Sequence, residues 1–136
     1  MSFEISPIGY VRSTIRNRTG APRQASEGAP AAWIEIEPGL LDALDGLNQG
    51  QEIWILTWLH ETDRSVLKVR PRGEAANPSK GVFATRSPDR PNPIGLHRAT
   101  IVSTNSGGRI QVDALEVIDG TPVLDIKPVL ECRPGR

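Results

Sequence analysis

The run Gly81-Val82-Phe83-Ala84-Thr85-Arg86-Ser87-Pro88-Asp89-Arg90-Pro91-Asn92-Pro93-Ile94-Gly95 sets two arginines, an asparagine and three prolines between hydrophobic stretches. Pro88, Pro91 and Pro93 fix φ and bias Ser87, Arg90 and Asn92 toward extended backbone, so the segment is stiff. A stiff segment presenting Arg86, Arg90 and Asn92 suits a ligand, because little ordering entropy is left to lose on binding. The plainer alternative is a proline-rich connection between two strands.

Three further groupings carry chemistry-bearing side chains: Pro22-Arg23-Gln24, Trp58-Leu59-His60-Glu61, and Asp119-Gly120-Thr121-Pro122 running on to Pro128. His60 closes an apolar stretch and is either a functional group or a satisfied core histidine. Asp119-Gly120 is a ligand-contacting turn or an ordinary hairpin turn. No glycine-rich dinucleotide fingerprint, phosphate-binding loop or Gly-x-Ser-x-Gly elbow occurs. Two histidines 37 residues apart and one cysteine, Cys132, argue against a zinc site, and no metal is expected. If the chain is an enzyme, its power comes from orienting a cofactor or an already reactive substrate.

The elements that must position these groups read mostly as β. Ile5 to Val11 is an expected strand, followed by a polar loop from Arg12 to Pro30. Trp33 to Glu37 alternates, with Ile34 and Ile36 facing inward. Leu40, Ala43, Leu44 and Leu47 fall at helical spacing, which predicts a short amphipathic helix over 40–47. Glu52 to His60 is apolar nearly throughout and predicts a central strand buried on both faces. Ser65 to Arg70 and Leu96 to Thr104 follow as strands, with Asn105 to Gly108 as a hairpin turn. Arg109 to Ala114 has period two, Leu115 to Ile118 extends it, and Val123 to Ile126 is the last strand. Seven or so short strands and one short helix predict an all-β fold, a small closed or nearly closed barrel. The expectation is a single domain over residues 1–136, its core spanning 8–130 and its tail 131–136.

Composition sets outer bounds. At 136 residues with 38% hydrophobic content, one core can be buried, and no apolar run reaches the roughly 20 residues of a membrane span. The start, Met1-Ser2-Phe3-Glu4-Ile5, lacks a basic and then hydrophobic leader, so the expected address is cytoplasmic, with no membrane partner. The net charge is zero, yet Arg12, Arg16, Arg18 and Arg23 form a +4 run without an acid. Residues 70–98 form a second +4 run, and Ile34 to Asp63 holds seven acids and no Lys or Arg. Converging basic runs would make an anion-binding face; scattered solvated charges are the alternative.

Together with Ile8-Gly9-Tyr10-Val11-Arg12-Ser13, the four groupings resemble the TrmO/TsaA-like family of tRNA methyltransferases, in order from about Ile8 to Leu130. The resemblance implies a small β-barrel that binds S-adenosylmethionine without a dinucleotide-binding domain and acts as a homodimer. It further implies methyl transfer to N6 of N6-threonylcarbamoyladenosine at position 37 of tRNA. Carried over by position, the cofactor contacts fall on Arg23, Gln24, Ala25, His60, Glu61, Arg86, Leu96, Asp119, Gly120, Thr121 and Pro122. In that frame the Asp-Gly-Thr-Pro turn reads an adenine edge through backbone N–H and C=O groups, and Arg86 pairs with the methionyl carboxylate. His60 and Asp119 are the alternative catalytic bases for the N6 proton. Arg90 and Asn92 are placed on the threonylcarbamoyl carboxylate or tRNA phosphate, with Arg12, Arg16 and Arg18 attracting the RNA backbone. Trp33, Trp54 and Trp58 are expected in the core or at the dimer interface, and Asp125 and Lys127 as a structural pair across a subunit boundary rather than as reactive groups.

Some members of that family carry a second domain after the barrel. This leaves open a methyltransferase of another nucleoside or small metabolite, or a non-catalytic module that binds S-adenosylmethionine or RNA.

Overall fold

A computed structural model of the chain describes residues 1–16, 29–70, 78–105 and 107–130. The strands among them are β1 (Gly9–Arg12), β2 (Ala32–Ile36), β3 (Glu52–Trp58), β4 (Lys68–Val69), β5 (Lys80–Gly81), β6 (Ile94–Asn105), β7 (Arg109–Val112) and β8 (Pro122–Pro128). Six of them close on themselves in the order β1-β2-β7-β6-β3-β8, and every pairing in the ring is antiparallel. Closure removes the exposed strand edges that an open sheet would present. β4 and β5 form a separate two-stranded ribbon beside the ring.

The interior follows from strand alternation. Val11, Ile34, Ile53, Ile55, Ile101, Ile110, Val112 and Val123 point inward and are almost wholly buried. Each such side chain contributes about 1.5–3 kcal/mol on leaving water. Ile34 and Ile36 face inward as their alternation requires. β3 departs from the expectation of burial on both faces. Ile53, Ile55 and Thr57 are buried, whereas Trp54, Leu56 and Trp58 lie on the outer wall and are half-buried. The reason is that the barrel has only one inside. Its outer wall tolerates apolar residues where arginines cover them.

The three tryptophans show this directly. Arg109 lies over Trp33 at 4.8 Å, Arg98 over Trp54 at 5.6 Å and Arg64 over Trp58 at 5.1 Å. Each contact adds roughly 0.5–1 kcal/mol at such exposed sites. None of the three is a core residue.

Other boundaries shift for local reasons. The helix expected over 40–47 is a 3-10 helix, Pro38–Leu44, flanked by bonds from Leu40 N–H to the Glu37 carbonyl and from Asp45 N–H to that of Asp42, with a separate turn bond from Leu47 N–H to the Leu44 carbonyl beyond it. Leu41, Leu44 and Leu47 rest on the core, while Leu40 points to solvent. A second 3-10 turn spans Val82–Ala84. Residues 115–118 do not extend β7. Leu115, Val117 and Ile118 are buried, but the backbone breaks from the ladder, with Leu115 N–H bonded to the Pro30 carbonyl and Asp119 N–H to that of Ile15. Ile5 is exposed and β1 begins only at Gly9, where a Cβ would collide with the Glu35 carbonyl of β2. No helix among the described residues is long and apolar enough to cross a membrane.

Candidate functional site

The barrel register gathers the chemistry-bearing segments. Thr57 near the end of β3 sits opposite Val123 of β8 on one side and Gly95 of β6 on the other. From that row three segments leave the barrel at the same end. These are Leu59 to Thr62 after β3, Pro91 to Pro93 before β6, and Asp119 to Thr121 before β8. A bulge at Leu124 lets Val123 face Thr57 while Asp125 faces Leu56, which re-aims the start of β8.

The proline-rich segment is braced by its own arginine. Arg90 donates to the carbonyls of Val82 (2.8 Å), Ser87 (3.0 Å) and Thr85 (3.1 Å). Asn92 is exposed, and its Oδ1 accepts from Arg64 at 3.0 Å, while Arg64 Nε donates to the Pro91 carbonyl at 2.7 Å. Leu59 N–H is bonded to the Pro93 carbonyl at 2.8 Å. Asp63 N–H adds a bond to Asp89 Oδ1 at 2.9 Å, so the segment carrying His60 and Glu61 is tied to the proline-rich loop through Leu59, Asp63 and Arg64. Nearby, the Ser65 hydroxyl and N–H hold the Asp63 carboxyl below its ordinary value.

Arg86 is exposed and donates to the Leu96 carbonyl at 3.0 Å, so these two expected contacts are neighbours. Leu96 faces outward on β6, opposite Leu56. His60 is exposed, two residues beyond β3, and is not a core histidine; Glu61 is exposed beside it.

The Asp119-to-Pro122 turn is held on its inner side. Gly120 has φ +84°, a left-handed geometry that glycine adopts without the Cβ penalty. The N–H groups of Asp119, Gly120 and Thr121 are bonded to the carbonyls of Ile15, Val11 and Ile118. Thr121 is buried, and its hydroxyl also donates to Ile118. The Asp119 carboxylate accepts from Ser13 N–H at 2.9 Å and from Arg16 at 3.0 Å. The turn's amides are thus engaged within the fold, contrary to the expectation that they read a ligand, and the Thr121 carbonyl accepts from Val11 N–H. The Asp119 and Gly120 carbonyls are the backbone groups of the turn that face that task.

A shallow cleft of about 480 Å³ opens beside Asp119, lined by Arg12, Ser13, Arg16, Trp33 and Arg109 among others. Its arginines are matched by acids, with Glu35 3.4 Å from Arg12 and 3.6 Å from Arg109. On the opposite wall Arg98 pairs with Glu52 at 2.9 Å. One acid of the intervening run thus sits against each basic run, Glu35 against Arg12 and Glu52 against Arg98, and Arg12 and Arg98 stand on different walls rather than on one positive face. Asp125 and Lys127 pair at 3.3 Å with each other along β8 of one chain, two residues apart on the same face, and not, as expected, across a subunit boundary. Arg18, Arg23, Gln24 and Ala25 lie outside the described residues.

One buried group escaped the sequence reading. Thr57 Oγ1 lies 2.7 Å from His97 Nε2, and His97 Nδ1 lies 2.6 Å from Glu116 Oε1. The inward parity of Gly95, His97, Ala99 and Ile101 along β6 was the available signal.

Comparison with known proteins agrees with this architecture. Residues 10–132 match the family described as the tRNA-methyltransferase O N-terminal domain. A relative from Methanothermobacter thermautotrophicus, named a probable S-adenosyl-L-methionine-binding protein, is 43% identical over 90% of this chain and 87% of its own length. A Pseudomonas aeruginosa relative, named the putative S-adenosylmethionine-dependent methyltransferase RcsF, is 42% identical over 90% of this chain and 55% of its own. Among solved structures, one of TrmO superposes with a TM-score of 0.76 at 36% identity, covering 99% of this chain and 64% of that one. TrmO from P. aeruginosa gives a TM-score of 0.74 at 36% identity, covering 96% of this chain. The chain spans 55% of the length of that TrmO chain.

Proposed function

The chain belongs to the TrmO family, and from that premise we propose that it is an S-adenosylmethionine-dependent methyltransferase acting on N6 of N6-threonylcarbamoyladenosine at position 37 of tRNA. The observation that carries the reading is the Val123–Thr57–Gly95 row, from which three of the four sequence groupings emerge side by side. Relatives named for binding S-adenosylmethionine, or for methyl transfer from it, support the choice of donor.

The residues present fit that donor. Arg86 retains guanidinium N–H groups for the methionyl carboxylate besides the one on Leu96. Leu96 and Leu56 offer an apolar outer wall, and the carbonyls of the Asp119-Gly120 turn can accept from an adenine amine. Arg23, Gln24, Ala25, Glu61, Thr121 and Pro122 complete the set by position in the family. When bound, the donor supplies an electrophilic methyl group already activated by its sulfonium. The protein's part is alignment and exclusion of water. His60 suits removal of the N6 proton better than Asp119, because both Asp119 oxygens already accept hydrogen bonds.

Asn92 reaches the acidic modification on the tRNA, while Arg90 acts mainly by stiffening the loop that presents it. Arg12 and Arg16 add salt-dependent attraction for phosphate. Ile94, Leu96 and Val102 leave apolar surface on the outer wall, which suits a homodimer. We place the whole chain in one cytoplasmic domain, without a membrane partner.

The test is incubation with methyl-labelled S-adenosylmethionine and total tRNA, followed by digestion to nucleosides. Label in threonylcarbamoyladenosine is expected. Label only in small molecules, or binding without transfer, would replace this reading with a different methyltransferase or a binding module.

A further inference from the structure

Thr57, His97 and Glu116 form a chain of hydrogen bonds inside the barrel, close to the end at which the candidate site lies. Thr57 and His97 are 0% and 5% exposed, and the Glu116 side chain is 12% exposed. Each residue comes from a different segment, and each segment runs into the candidate site within three residues. Thr57 leads to His60, His97 follows Leu96, and Glu116 leads to Asp119. Gly95 completes the arrangement, since a Cβ there would strike both Thr57 Oγ1 and His97 Nε2.

The group carries a cost. Glu116 Oε2 is buried and has no hydrogen-bond partner among the described residues. A buried polar atom left unpaired destabilises a fold, whereas apolar residues of similar shape would fill the same space without that penalty. What apolar packing does not supply is direction. Two short hydrogen bonds through one imidazole fix the distance and angle between three segments.

We infer that Thr57, His97 and Glu116 are positioning residues, a buried clasp that sets the mutual geometry of the His60, Leu96 and Asp119 segments. The clasp touches no substrate. It acts through the segments it joins, and irregular residues 115–118 need it most because no strand ladder holds them. As a statement about a methyl donor's site the inference rests on the function proposed above; as a statement about the fold it does not.

The test uses the full chain without ligand. Thr57→Val keeps side-chain shape and removes the hydroxyl, Thr57→Ser restores it, and Glu116→Met, which keeps length but removes the accepting oxygen, is a second probe should the valine variant fold poorly. Amide hydrogen exchange is measured at Leu59, Ile94 and Gly120, and at Ile36 and Gly50 at the far end of the barrel. The clasp predicts at least tenfold faster exchange at the first three in the valine or methionine variant, no change at the last two, and recovery with serine. Unchanged exchange at the site end, or a uniform rise throughout, would overturn it. Calorimetry with S-adenosylmethionine supplies the second readout, with Kd expected to rise about tenfold in the same variants, 1.4 kcal/mol by the usual conversion. If the native chain shows no binding, the proposed function falls and the exchange pattern alone decides the clasp.

Discussion

Arg90 Nη2 donates to the carbonyl of Val82, eight residues earlier, at 2.8 Å, and so closes the proline-rich segment onto its own beginning. Its other terminal nitrogen serves Thr85 and Ser87. A lysine ammonium cannot span three such acceptors in one plane. Arg90→Lys should therefore cost about 1.5–3 kcal/mol, the range for hydrogen bonds to a charged group. Urea unfolding monitored by tryptophan fluorescence checks this, and an unchanged midpoint would show that the prolines alone hold the loop.

Arg86 has the opposite character. It is exposed and has one backbone partner, so its removal should barely alter stability. Arg86→Ala should instead weaken S-adenosylmethionine binding by about 1–3 kcal/mol in calorimetry, the loss expected of a charged hydrogen-bonding partner. Native affinity in that variant would remove Arg86 from the site.

Gly95 and Gly120 differ in why they are glycine. Gly120 has positive φ with open space where a Cβ would stand, so Gly120→Ala should cost only the left-handed backbone penalty of roughly 1–2 kcal/mol. Gly95 is walled by Thr57 and His97, so Gly95→Ala must push the clasp apart. Thermal denaturation should rank Gly95→Ala as clearly the more damaging. The reverse order would contradict the packing described for β3 and β6.

The Glu52–Arg98 pair makes stability pH-dependent in a defined direction. The Arg98 side-chain hydrogen bond holds the Glu52 carboxyl below its ordinary value and raises that of the guanidinium. A carboxyl depressed in the folded state stabilises above its unfolded value, and that contribution is lost as pH falls through the folded one. The gap in unfolding midpoint between native chain and Glu52→Gln should be present at neutral pH and vanish in acid. Both groups are exposed, so the gap should also shrink with salt.

Strand alternation in β2 and β7, the turn bonds that Gly107 and Gly108 make to Asn105, and the prolines of 88–93 were all readable in the sequence, because each is a local constraint. β3 misled because an apolar run does not say whether its second face meets protein or arginine-covered solvent. The 115–118 segment misled because burial can be reached through bonds to Pro30 and Ile15 rather than a ladder, and those partners lie far off in the chain. The candidate site was legible as four groupings, yet which amides were still available to a ligand depended on tertiary bonds. The clasp was missed for the same reason, since its members stand 40 and 19 residues apart.

A crystal structure of the chain with S-adenosylmethionine bears most directly on the central claim. The methionyl carboxylate is expected at Arg86 beside Leu96, the adenine against the carbonyls of the Asp119-Gly120 turn, and the methyl group open toward His60. Clear density for the donor at the far end of the barrel, near Gly50 and Gly108, or no binding at saturating concentration, would contradict it.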